Sequence, residues 1–299
     1  MFFHQKFLHT GVGLTPGQLA VSPSGLNFGT LATGTSSQAV FVVSNTGGTM
    51  VSNCAASVTG GPYTVSPATT FALVAGASTN LSVQFAPVAA GTFNNSLIVN
   101  SANGGTPTNS LTGTGAIVPV ASFTATPTNG VVAFVVTFTD TSTGTITNRF
   151  WNFGDGVTSN TTLTSVTHTY TVAGSNTVQL IVAGPVGVST NTQANRIVGI
   201  NPASLSVAPA NRDFGSVTTG LTNTLNFFVS NPGDVTLNGT ASASAPFTIT
   251  SGSPYTIAPH QTGTVGVSFA PTIAGSFNDN VVFTSSGGVS TNPDRKSVV

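Results

Sequence analysis

The segment Phe41–Gly47, with the sequence Phe-Val-Val-Ser-Asn-Thr-Gly, returns as Phe227–Gly233, with the sequence Phe-Phe-Val-Ser-Asn-Pro-Gly. The shift from position 41 to position 227 is 186 residues. Apolar residues alternate through each segment, which predicts a β-strand with one buried face. The Asn-x-Gly ending predicts a turn, because glycine readily adopts positive φ. A strand and turn that recur at a fixed distance indicate two copies of one β-domain.

The repeat extends on both sides of these segments. Upstream, Phe28-Gly29 recurs as Phe214-Gly215. Downstream, Val83–Pro87 matches Val267–Pro271 after a shortening of two residues. Proline ends a strand because it has no N–H to donate to the ladder. Each copy therefore predicts a sandwich of half-buried antiparallel strands.

These shared motifs carry a family resemblance. The Phe-Gly pair, the strand ending in Ser-Asn-Thr/Pro-Gly and the Phe-Ala-Pro stop followed by Ala-Gly-x-Phe resemble the ASPM-SPD-2-Hydin type of immunoglobulin-like domain. That family is related to the major sperm protein fold and includes the choice-of-anchor domains. The resemblance covers about two thirds of the chain and implies tandem modules of a kind found in large secreted or surface proteins of bacteria.

The middle of the chain follows a different pattern. Alternation over Phe134–Phe138 is followed by Trp151–Gly156, with the sequence Trp-Asn-Phe-Gly-Asp-Gly, and then by Thr167–Tyr170, with the sequence Thr-His-Thr-Tyr. This ordered set resembles a polycystic kidney disease (PKD) domain, an immunoglobulin-like sandwich of many extracellular proteins. Asn152 stands where the family usually has an acid, which weakens any argument that needs a charge there.

Physical roles for the middle motif can be read from the residues themselves. Trp151 and Phe153 are two apart, so both rings lie on one face of a strand, where aromatic burial supplies much of a core. Asp155 stands between Gly154 and Gly156, a turn sequence in which the carboxylate can accept backbone N–H groups.

The second half of the motif contains His168 and Tyr170. We expect the Tyr170 ring inside and its hydroxyl on a backbone group, as in a tyrosine corner, with His168 beside it. An exposed aromatic platform for sugars is the alternative for Trp151, His168 and Tyr170.

Calcium is the alternative that remains for a cofactor. Asp140 and Asp155 are the only carboxylates of the middle segment, and some PKD domains bind calcium. Calcium takes about six to eight oxygen ligands. Two acids supply few of these ligands, even with Ser142 and carbonyl groups added. We therefore expect both acids to cap turns and the chain to bind no cofactor.

Composition excludes several function classes. Only 4% of residues are charged, with 6 Lys plus Arg against 6 Asp plus Glu, too few cations to bind nucleic acid through its phosphates. The longest apolar runs fall short of the roughly 18 residues of a membrane-spanning helix. Paired acids, zinc-ligand spacing and a Gly-x-Ser-x-Gly elbow are missing, so we expect no enzyme.

The expected organisation is a tail or linker at 1–19, an Ig-like domain at 20–116, a PKD domain at 117–200 and a second Ig-like domain at 201–299. We expect a non-catalytic spacer or adhesion-type region of a larger secreted or cell-surface protein, with the export signal outside the given chain. The alternative is an accessory region of a secreted hydrolase that binds polysaccharide or protein. Extracellular polysaccharide and cell-surface proteins are the expected partners.

The final residues break the composition of the chain. By the downstream shift of 184 residues, 109–115 should correspond to 293–299, yet Asp294, Arg295 and Lys296 stand there in succession. The string from Asp294 to Val299 resembles the translation of a sequencing-library adapter. We therefore expect a third domain that is truncated and less stable than the others. A natural charged tail that protects an edge strand is the alternative.

Overall fold

A computed structural model describes residue 11 and residues 13–297, the last four of these for the backbone alone, and all regular structure in these residues is β-strand. The strands form three successive two-sheet sandwiches. The prediction of an all-β chain of tandem immunoglobulin-like sandwiches is confirmed.

The first sandwich packs a four-stranded sheet on a five-stranded one. The four-stranded sheet has the order β1-β3-β7-β5, and its strands are β1 (Leu19–Ser22), β3 (Ser37–Asn45), β7 (Ser78–Phe85) and β5 (Tyr63–Ser66). The other sheet has the order β2-β9-β8-β4-β6, and its strands are β2 (Gly25–Ala32), β9 (Thr108–Ala116), β8 (Gly91–Asn100), β4 (Val51–Val58) and β6 (Phe71–Leu73). Strand β2 runs parallel to β9, and the other neighbours are antiparallel.

The third sandwich repeats this topology strand for strand. Its four-stranded sheet has the order β18-β20-β24-β22, and its strands are β18 (Ser206–Ala208), β20 (Asn223–Ser230), β24 (Thr262–Phe269) and β22 (Phe247–Ser251). Its five-stranded sheet has the order β19-β26-β25-β21-β23, and its strands are β19 (Arg212–Asp213), β26 (Gly288–Ser297), β25 (Ser276–Ser285), β21 (Leu237–Ser242) and β23 (Tyr255–Ile257). The parallel pair recurs as β19 and β26.

The middle sandwich has its own topology. Its three-stranded sheet has the order β10-β12-β15, and its strands are β10 (Phe123–Thr126), β12 (Phe134–Asp140) and β15 (Ser165–Tyr170). Its five-stranded sheet has the order β11-β17-β16-β13-β14, and its strands are β11 (Asn129–Val131), β17 (Gly187–Ile200), β16 (Gly174–Gly184), β13 (Asn148–Asn152) and β14 (Thr158–Thr161). Each of the three sandwiches encloses a separate cluster of buried apolar side chains.

The asparagine of the duplicated turn is buried in both copies. The Asn45 amide donates to the carbonyls of Thr49 (2.8 Å) and Leu73 (3.0 Å), and its oxygen accepts from the N–H groups of Gln18 (3.2 Å) and Gly47 (3.0 Å). Asn231 makes the same four bonds in the third sandwich, at 2.8 to 3.2 Å. The turn is therefore organised around a buried side chain.

The last strand of the third sandwich is shifted by one residue from the expected match. Asn109 donates to the carbonyl of Pro23 (2.8 Å), and its counterpart is Asn292, which donates to the carbonyl of Pro209 (3.2 Å). The residues equivalent to 109–114 are thus 292–297. The reason is a hairpin that is shorter by one residue: nine residues separate the paired Ile98 and Thr108 in the first sandwich, whereas eight separate the equivalent pair, Val282 and Thr291, in the third.

This register places charged residues at core positions of the repeat. Asp294 takes the position of Leu111, which is fully buried in the first sandwich. Lys296 takes the position of Gly113, where an added Cβ would lie 2.7 Å from the ring of Phe85. Strand β26 pairs with β25 along its whole length and with β19 at Asp294 and Arg295, so these two residues lie inside the sheet.

We predict that restoring the first-copy residues stabilises the third sandwich. Asp294→Leu combined with Lys296→Gly should raise its free energy of unfolding by about 2 kcal/mol, the gain from burying one leucine. Differential scanning calorimetry of the whole chain would measure the shift. Arg295→Thr, which restores the half-buried Thr112 position, is the matched control with a small expected change. An unchanged or lower melting temperature in the double variant would contradict the assigned register.

Candidate functional site

The aromatic residues of the middle motif form the centre of its core. Trp151 is fully buried on β13, and Phe153 is 2% exposed. The two rings are parallel, with centroids 6.5 Å apart, and the Trp151 ring meets Phe123 edge-on at 5.2 Å. A ring enclosed in this way cannot offer a stacking platform to a sugar.

Tyr170 connects the two sheets of the middle sandwich. Its ring, on β15, is 1% exposed, and its hydroxyl donates to the carbonyl of Phe153 (2.8 Å) after β13 in the opposite sheet. Burial raises the pKa of Tyr170, and the negative charge of Asp155 raises it further. The hydroxyl therefore stays protonated and able to donate throughout the neutral range.

The turn after β13 is fastened to β15 by Asp155 and His168. His168 Nε2 lies 2.6 Å from Asp155 Oδ2, and Asp155 Oδ1 accepts from the N–H of Val157 (3.1 Å). The His168 ring stacks on Phe153, with centroids 4.3 Å apart. Gly154 is required in this turn, since its φ is +89° and an added Cβ would lie 2.4 Å from the carbonyl oxygen of Thr177.

The second turn glycine, Gly156, also has positive φ, at +92°. Next to the turn, Asp155, His168 and Asn176 line an open depression of about 390 Å³. The Asp155 carboxylate and the His168 imidazole in this depression already bond to each other. In the described part of the chain, no three or more His, Cys, Asp or Glu side chains are grouped closely enough to hold a metal ion.

Asp140 lies apart from this depression and pairs with Arg149. Asp140 ends β12, and Arg149 belongs to β13 in the opposite sheet, so their ion pair bridges the sandwich. Their side chains are only 2% and 11% exposed. Arg149 also donates to the carbonyl of Thr162 (2.9 Å), and Asp140 accepts from the N–H of Ser142 (2.8 Å). The two acids considered for calcium are therefore not brought together.

Opposing effects act on the pKa of Asp140. Burial alone raises it, but the hydrogen bonds from Ser142 and the hydrogen bond and charge of Arg149 outweigh burial and lower it. A carboxyl with a lowered pKa stabilises the fold above its unfolded pKa of about 3.9, and that contribution is lost as the pH falls through the folded value.

We predict that Asp140→Asn destabilises the middle sandwich by about 3 kcal/mol at pH 7, because it leaves a buried guanidinium without its charge partner. The wild type should lose stability below about pH 4, and the variant should lose less over the same range. Trp151 is the only tryptophan, so its fluorescence during urea unfolding reports this sandwich alone. Asp279→Asn, in the third sandwich, is the control. An acid-induced loss of equal size in wild type and Asp140→Asn would refute the assignment.

Comparison with known families agrees with this architecture. The HYDIN/CFA65/VesB-like, Ig-like domain model matches residues 17–116 and 203–296, and the PKD domain model matches residues 117–198. The chain belongs to the HYDIN/CFA65/VesB-like Ig-like domain family. Its middle sandwich is a PKD domain, set between two HYDIN-type domains as the sequence motifs predict.

The solved structure of a titin fragment shows the same fold. An I-band fragment of titin with three Ig domains is 12% identical, with a TM-score of 0.52, and the match covers 96% of this chain and 100% of the fragment. The human CEP192 ASH/PapD-like domain is 16% identical, with a TM-score of 0.30, and the match covers 38% of this chain and 98% of that domain. Curated protein sequences give no significant match.

The two domain families have typical roles. PKD and HYDIN-type Ig-like domains are typically non-catalytic modules of structural or adhesion-type regions, common in extracellular and cell-surface proteins. Among the described residues, no helix has the length and hydropathy to cross a bilayer.

Proposed function

We propose that this chain is a non-catalytic spacer within a larger secreted or cell-surface modular protein. The observation that carries the proposal is the succession of three sandwiches, each closed around its own core. Such modules need no partner to bury their apolar faces, so in series they add length between whatever flanks them.

The reactive side chains support this role, because they are used to hold the folds and one junction together. Every acid whose side chain is described accepts a hydrogen bond from a backbone N–H. Four of these bonds lie within one sandwich, and the fifth, to Asp234, comes from Asn201 at the junction; the acids are Asp140, Asp155, Asp213, Asp279 and Asp234. The single Cys54 is buried, and burial raises the pKa of its thiol, which disfavours the reactive thiolate.

A binding role would have to use a surface depression such as the one lined by Asp155, His168 and Asn176. A glycan array and a pull-down with the purified chain would test for it. The spacer proposal predicts no saturable binding. Saturable binding that is weakened by Asn176→Ala, but not by Asn160→Ala on the exposed edge strand β14, would overturn the proposal in favour of a binding module.

A further inference from the structure

A single peptide group connects the first HYDIN-type domain to the PKD domain. Ala116 ends β9, and its carbonyl accepts from the N–H of Thr33 (2.9 Å) in the first domain. The N–H of the next residue, Ile117, donates to Thr145 Oγ1 (2.9 Å) in the PKD domain. The carbonyl of Ile117 then accepts from the N–H of Thr145 (2.9 Å). Each side of the Ala116–Ile117 peptide is thus fastened to a different domain.

The second connection has the same construction. Ile200 ends β17, and its carbonyl accepts from the N–H of Val132 (3.0 Å) in the PKD domain. Asn201 donates through its backbone N–H (2.7 Å) and its side-chain amide (2.9 Å) to Asp234 Oδ2 in the third sandwich. The Asn201 carbonyl accepts from the N–H of Asp234 (3.2 Å). No free residue stands between the two sets of bonds.

This arrangement removes the usual source of interdomain freedom. A linker bends through the φ and ψ rotations of its free residues, whereas the peptide group itself is planar and rotates only over a high barrier. Here the carbonyl of one rigid plane is bonded to one domain and the N–H of the same plane to the next. We propose that both junctions are stiff and that the two clamped peptide groups set the angles between neighbouring domains.

The position of a charged residue supports the assignment of Asp234 as the group that holds Asn201 at the second junction. Only 4% of the residues are charged, yet Asp234 stands at this junction, where the equivalent position of the first copy is Gly48. Its other carboxylate oxygen lies 2.9 Å from His260 Nε2. The hydrogen bond from the Asn201 backbone lowers the pKa of Asp234, and those from the Asn201 amide and His260 add to this, so the carboxylate stays charged at neutral pH.

The stiffness itself does not depend on the proposed spacer role; only the purpose of the stiffness rests on that proposal. It is tested by distances between spin labels on the full chain, measured by double electron–electron resonance. Cysteines at exposed Val40 and Val135 span the first junction, and cysteines at Val135 and Thr224 span the second. Buried Cys54 should stay unlabelled, which the chain without added cysteines checks.

We expect a narrow distance distribution across each junction. Asp234→Ala should widen the second distribution by about twofold or more and leave the first unchanged, because free φ and ψ rotations return there. Thr145→Val should widen the first distribution and leave the second unchanged. Asp234→Asn, which keeps an acceptor oxygen, should remain close to the wild type.

Broad distributions in the unmutated chain, or no widening in Asp234→Ala, would overturn the stiffness inference while leaving an extended but flexible spacer intact. Ligand binding in the glycan or pull-down assay would instead remove the spacer function and leave the stiffness measurement standing. Circular dichroism of each variant confirms that the sandwiches remain folded.

Discussion

Replacement of Trp151 by alanine is expected to lower the free energy of unfolding of the PKD domain by about 3 to 5 kcal/mol, the cost of deleting a buried large aromatic side chain. The ring is fully buried and packs against Phe123, Phe138 and Phe153, so the cavity would border several aromatic partners. Amide hydrogen exchange of the strands of this domain provides the measurement, since the substitution removes the fluorescent probe.

Trp151→Phe is the matched control. The indole N–H of Trp151 is buried without a hydrogen-bond partner, so phenylalanine removes no hydrogen bond and leaves a smaller cavity. We expect it to cost less than half as much as alanine. A loss below about 1 kcal/mol for Trp151→Ala would place the ring at the surface and return the sugar-platform hypothesis.

Asn45→Ala in the first sandwich and Asn231→Ala in the third should each cost at least about 3 kcal/mol. Each substitution removes four hydrogen bonds and leaves two N–H groups and two carbonyls without partners in a largely buried turn, at roughly 1 kcal/mol or more for each group. Calorimetry should show the unfolding transition of the affected sandwich at a lower temperature. The transition temperatures of the other two sandwiches should be unchanged.

Asn80→Ala, on the exposed face of β7, is the control for Asn45→Ala, and surface substitutions of this kind usually change stability by less than about 0.5 kcal/mol. If Asn45→Ala were as mild as Asn80→Ala, the buried asparagine would not organise the turn. Asn45→Asp should be as damaging as alanine, since a carboxylate cannot donate to the carbonyls of Thr49 and Leu73.

Local patterns were sufficient to predict most of the fold. Alternation placed Phe41 and Phe227 on inward faces, and both are fully buried. The duplicated motifs predicted two domains of one kind, and these have identical strand orders. The Trp151 and Tyr170 motif was enough to identify the PKD domain, because its residues lie close together in sequence and serve one core.

Long-range contacts could not be read from the sequence. The Asp140–Arg149 pair bridges two sheets, so each residue alone looked like a solvated turn or strand position. The buried role of Asn45 depends on Gln18 and Leu73, which are 27 and 28 residues away in sequence. Aligning Thr291-Asn292 with Thr108-Asn109 would have revealed the one-residue shift, but a match of two residues is a weak signal in a chain rich in both types.

The central claim, an extended series of independently folded sandwiches, is tested most directly by the radius of gyration of the whole chain from small-angle X-ray scattering. A single compact globule of 299 residues would have a radius of gyration of about 19 Å, whereas three domains of about 12 Å each, touching in a line, give about 29 Å. We predict a value of about 29 Å or more. A value near 19 Å would contradict the account, because the three sandwiches would then be folded back on one another.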